Sequence, residues 1–107
     1  MINVRAKGMR FEHWVANFMK RCGYPEAKRR LSQYQVSDGV DLDNTAPYAI
    51  QCKSGKRIEI MKAYEEAHGS AFLDQIPLLF FRYDNKKPMV VMSAEDFAKH
   101  IKNTKDE

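Results

Sequence analysis

Long apolar runs are missing from this 107-residue chain: nothing approaches the roughly 18 consecutive apolar residues of a membrane span. The opening stretch, MINVRAKGMRF, also lacks the apolar core of a signal peptide. These absences exclude a membrane-embedded helix and lead to the expectation of an intracellular, cytoplasmic protein with no membrane partner. Cysteine is scarce as well. Only Cys22 and Cys52 occur, without CxxC or Cys/His ligand spacing, which excludes a disulfide framework and a structural zinc and leaves two reduced, buried thiols as the expectation. His13, His68 and His100 show no pairing or ligand spacing and read as surface or packing residues. No repeat, linker or low-complexity segment divides the chain, and at 44% hydrophobic and 30% charged it suits one domain, residues 1–107, around a single core.

What is present is charge of one sign at one end. Residues 1–30 hold eight basic side chains (Arg5, Lys7, Arg10, Lys20, Arg21, Lys28, Arg29 and Arg30) against Glu12 and Glu26, a balance of +6; the remainder carries ten basic and twelve acidic, or −2. The asymmetry fits either a face that binds a polyanion such as nucleic acid or a solvated basic surface.

Apolar residues Phe11, Trp14, Val15, Phe18, Met19 and Cys22 recur at helical spacing and predict an amphipathic helix of about four turns that Gly23 and Pro25 stop. Residues 27–31 are either a short strand or an extended loop. Val40 and Leu42 alternate with Gly39, Asp41 and Asp43 as a short strand, Asn44 to Pro47 turn, and Tyr48 to Lys53 pairs back as a hairpin. A helix over 58–68 is expected to bury Ile60, Met61, Ala63, Tyr64 and Ala67, with Gly69 as its cap. The run IPLLFFRY, residues 76–83, has the length and continuity of a strand covered on both faces. Residues 89–92 pair back onto it, and Ser93 with Asp96 resembles a capping box that opens a final helix burying Phe97 and Ile101. The expected fold class is α/β in the broad sense, an α+β mixed sheet flanked by helices.

One stretch, AIQCKSG at 49–55, does not fit a plain buried strand. Alternation puts Ala49, Gln51 and Lys53 on one face and Ile50 and Cys52 on the other, so a lysine points where a neighbouring element should pack. Across a hairpin, Asp41 and Gln51 would stand about 5 Å apart and could both ligate a hard cation such as Mg²⁺, with the Cys52 carbonyl as a third ligand. Lys53 would reach over the same site to hold the attacking water and stabilise developing charge. Glu12 lies roughly 90° from the centre of the first helix's apolar stripe, at the border where a carboxylate can face a cleft.

The array of Glu12, Asp41 and Gln51-Cys52-Lys53 resembles the PD-(D/E)xK nuclease superfamily. Within it GMRFE (8–12), GYPEAKRR (23–30), GVDL (39–42) and AIQCKSG are similar to Holliday-junction-resolvase-like nucleases of the archaeal and phage type. The resemblance runs from about residue 8 to 97. It implies a restriction-endonuclease-like fold and a metal-dependent DNA endonuclease that uses Mg²⁺, or Mn²⁺, to hydrolyse phosphodiester bonds, with branched DNA as substrate. It also implies a homodimer and a place in recombination, repair, or phage or plasmid DNA processing. Carried over, Asp41 is the main metal-bridging carboxylate, Lys53 the catalytic lysine and Glu12 an accessory carboxylate, while Gln51 stands where the family usually has Asp or Glu. Arg29, Arg30 and Ser32 fall where the family contacts phosphate, and Arg5, Lys7, Arg10 and Lys56 complete the candidate DNA-binding set. Rival readings are a structure-selective or nicking nuclease, a non-catalytic DNA-binding module that kept the fold, and a protein-interaction domain. Residue by residue, Asp41 could serve a turn, Gln51 a buried hydrogen bond and Lys53 the sheet edge; Arg82 is either a core-edge residue or a DNA contact.

Overall fold

The computed structural model describes residues 4–31 and 40–105, without the side chains of Val4 and Arg5. Among these residues it contains three helices and two small sheets, a mixed α/β arrangement. The first helix, α1 (Val4–Arg21), starts before the apolar stripe and buries Phe11, Val15, Ala16 and Met19. Phe11, Trp14 and Phe18 stack in a row along it, and Phe18 meets Phe80 edge-on at 5.8 Å. Its end is a Schellman motif. Gly23, at φ +110°, lets its own N–H reach the Lys20 carbonyl while the Tyr24 N–H reaches that of Met19. Cys22, expected in the core, is exposed because it sits on this terminating turn, whereas Cys52 is buried as expected.

Residues 27–31, open between strand and loop, contain strand β1 (Lys28–Arg29), antiparallel to β2 (Leu42–Asp43). The expected hairpin between Asp41 and Tyr48–Lys53 is therefore reduced to an edge contact. The Asp41 N–H bonds the Ile50 carbonyl at 2.8 Å, but the ladder partner of β2 is β1.

The main sheet runs β3 (Tyr48–Gly55), β4 (Ile76–Tyr83), β5 (Met89–Val91), with β3 and β4 parallel and β5 antiparallel to β4. Parallel strands need a crossover, supplied here by α2 (Ile60–Ser70). The two faces of β4 are both covered, as its unbroken apolar run requires. Leu78 and Phe80 join Ile50 and Cys52 against α1, and Leu79, fully buried, shares the other face with Gln51. Helix α2 buries only Ala63 and Ala67; Ile60 and Tyr64 are half-buried, Met61 is exposed, and Gly69 lies inside the helix, which is capped at Ala71. Small side chains at both contact positions leave the sheet's second face without a thick apolar layer.

The last helix, α3 (Ala94–Lys105), opens as expected, with Ser93 Oγ accepting the Asp96 N–H at 3.0 Å. It does not bury its apolar residues: Phe97 and Ile101 are 55% and 48% exposed. The helix leans on the body through His100, which stacks on Tyr48, so its apolar stripe is turned aside. Among the described residues no helix is long and apolar enough to cross a membrane.

Candidate active site

Asp41 lies beside the edge of β3, where its Oδ2 accepts the Cys52 N–H at 2.8 Å. In an extended strand a residue's N–H and C=O point to the same side, so the Cys52 carbonyl is directed to the edge that Asp41 occupies. The Asp41 carboxyl is pushed up from 3.8 to about 6, chiefly by burial. The Cys52 hydrogen bond opposes that rise, Glu12 adds to it by repulsion, and Lys53 and Arg30 work against it. A carboxyl group whose ionisation is disfavoured beside a strand edge is a candidate functional position. Burial also raises the Cys52 thiol, with Asp41 and Glu12 contributing, so that sulfur is inert.

Helix α2 is the element that packs on the face carrying Gln51 and Lys53, and it meets them with an acid. Gln51 is 3% exposed, and its Nε2 donates to Glu66 Oε2 on α2 at 2.8 Å; the Lys53 Nζ lies 4.0 Å from the same oxygen. Gln51 Oε1 is buried and has no partner among the described residues. An unmet buried acceptor is costly, which makes this atom a position where a cation or water would be stabilising. A cleft of about 240 Å³ opens at Lys53 and Glu66, lined also by Ser54, Arg57 and Lys62.

Glu66 was not read from the sequence. It lies on α2 between Ala63 and Ala67, at the edge of the stripe those alanines define, and the signal was that an acid borders a helix face made of small residues. Close approach of α2 through the alanines delivers Glu66 to Gln51.

Glu12 is on α1, and Arg29 Nε donates to its Oε1 at 2.8 Å, so it acts on Asp41 as a nearby charge while being held by a guanidinium. Arg30 donates to Asp43 at 2.9 Å. Both arginines of the expected phosphate-contact pair are thus engaged in part-buried ion pairs. Lys7 is paired with Asp84, whereas Arg10, Lys56 and Arg57 are exposed. Ser32 and the Arg5 side chain lie outside the described residues. Arg82 packs over the Phe11 ring at 5.7 Å, the arrangement of a core-edge residue.

The structure brings Gln51, Lys53 and Glu66 together, with Asp41 on the adjoining edge, and no three His, Cys, Asp or Glu side chains form a ready metal cluster among the described residues. The donors suit a hard cation nonetheless: a half-buried carboxylate whose ionisation is disfavoured, an orphaned amide oxygen, an outward strand carbonyl and a second carboxylate are all oxygen ligands. Comparison with protein families, with curated proteins and with solved structures finds no match.

Proposed function

We propose that the chain is a Mg²⁺-dependent endodeoxyribonuclease of the restriction-endonuclease-like fold, acting inside the cell on branched DNA. The observation that carries this reading is the convergence of Glu66 and Lys53 on Gln51. The position that resembles a family's missing carboxylate is supplied with one from the facing helix.

Asp41, Gln51 through Oε1, Glu66 and the Cys52 carbonyl are the groups that would hold the cation. A Mg²⁺ bound there would supply Lewis-acid polarisation of a phosphoryl oxygen and a more acidic bound water. Lys53, rooted on a rigid strand, stabilises charge gathering on the phosphate oxygens. Arg57 and Lys62, lining the cleft, attract the phosphates on either side of the scissile one. Arg29 keeps Glu12 directed toward Asp41's surroundings and tempers the repulsion between the two acids.

Labelled four-way junction, flap, single-stranded and duplex DNA, each incubated with Mg²⁺, Mn²⁺ or chelator, test the reading. Junction cleavage that requires metal and disappears in Asp41→Asn is expected; no cleavage of any substrate in either metal overturns it. The lack of a ready three-ligand cluster among the described residues favours a second reading, a DNA-binding module without turnover. That module would bind junctions equally well with and without metal, and Asp41→Asn would leave the affinity unchanged.

A further inference from the structure

We infer that α3 is the contact element of a twofold dimer of this chain, packing antiparallel against α3 of a second copy. The nuclease resemblance also implies a homodimer; the surface and register of the pairing follow from α3 itself and hold or fail independently of cleavage.

Helix α3 buries no residue, although its stripe of Ala94, Phe97, Ala98 and Ile101 has the spacing of a packed face. Its attachment to the body is on another flank, where His100 Nε2 meets the Tyr48 hydroxyl at 3.0 Å and the two rings stack. The exposure continues onto the neighbouring edge strand, where Met89 and Val90 are 55% and 50% exposed. Beside it runs an apolar groove of about 300 Å³, between the end of α1 and α3, lined by Met19, Phe80, Val90, Met92 and His100. An exposed apolar surface of this extent next to an open sheet edge is characteristic of an interaction site.

Charge identifies the occupant. The first turn of α3 is acidic (Glu95 and Asp96) and its last turn basic (Lys102 and Lys105). Residues 95 and 102 are seven apart and therefore lie along the same flank of the apolar stripe. When two such helices run antiparallel with their midpoints between residues 98 and 99, Glu95 of each faces the partner's Lys102, twice, about one symmetry axis. The same polarity also complements each helix's own dipole. That effect acts within one chain and cannot be rescued by a second.

Light scattering and sedimentation of the full chain test the assignment. A species of twice the monomer mass is expected, and Phe97→Glu should return it to monomer with the circular dichroism spectrum retained, because Phe97 is exposed in the monomer. Glu95→Lys and Lys102→Glu should each weaken self-association at least about tenfold, a change of about 1.4 kcal/mol. Mixing those two variants should restore dimers, since an all-basic flank then meets an all-acidic one. A chain that stays monomeric at hundred-micromolar concentration overturns the proposal. So does a dimer that survives Phe97→Glu, or single variants that do not recover on mixing.

Discussion

The two faces of the central sheet are built on opposite terms. Toward α1, Ile50, Cys52, Leu78 and Phe80 meet Phe11, Val15 and Met19 in a close apolar layer. Toward α2, one residue along the same strand, Gln51 and Lys53 meet Glu66, and the helix touches the sheet through two alanines. Neighbouring residues 50 and 51 thus serve different ends. The α1 face supplies stability, which frees the α2 face to hold polar groups in positions that a well-packed core would reject.

The sharpest way to break this contrast is Asp41→Asn. Removing the charge without changing the shape should cut metal-dependent cleavage by roughly a thousandfold, several kcal/mol of transition-state stabilisation, read by single-turnover kinetics on a labelled junction. Undiminished cleavage would remove the edge beside the polar face from the working site.

Ile50→Ala, on the apolar face, should cost about 2–5 kcal/mol in chemical denaturation because it leaves a cavity in a fully buried site. Its neighbour provides the counterpart. Gln51→Leu removes an amide with an unmet oxygen and releases Glu66, whose side chain is 45% exposed, to water. Stability should change by less than about 1 kcal/mol while cleavage is lost.

The pH dependence of the metal-free protein gives a third measure. With Asp41 at about 6 in the folded chain against 3.8 ordinarily, the folded state holds more protons between those values. The stability from this group is therefore full below the lower value, falls as pH rises, and is gone above about 6. In chelator at pH 7, Asp41→Asn should exceed the parent by up to about 3 kcal/mol, with the gap closing toward pH 4. Equal melting curves at both pH values would remove Asp41 from its buried setting.

The finest discrimination comes from Gln51→Glu, read as a difference in metal response between two proteins. Two carboxylates where Gln51 now donates to Glu66 should lower stability in chelator by about 1–3 kcal/mol. Mg²⁺ should raise the melting temperature of this variant more than that of the parent. A uniform fall with no metal response would make Gln51 a structural amide.

Local patterns carried much of the architecture. The stripe from Phe11 to Met19, the stop at Gly23 and the unbroken apolar run of β4 each follow from side-chain spacing within one element, and each is present. Where the reading went astray, the deciding interaction lay between elements. β2 takes β1 as its ladder partner, and α3 leans on Tyr48 through His100 while Phe97 and Ile101 remain outside. The same holds for the site. The alternation of Gln51 and Lys53 was visible in the strand, but Glu66 becomes meaningful only once the parallel pairing of β3 and β4 requires α2 to cross that face. Arg29 and Arg30 show the converse: their charge was evident, but the acids that engage them, Glu12 and Asp43, are distant in sequence.

The crossover has a kinetic consequence. Because β3 and β4 run parallel, their ladder cannot zip from a tight turn, and the chain must first close a loop that includes α2. Folding of the sheet is thereby tied to docking of α2 through Ala63 and Ala67, and Glu66 reaches Gln51 in that same event. A bulky residue at Ala67, which is fully buried, would hold α2 away from the sheet and with it the Glu66 carboxylate from Gln51.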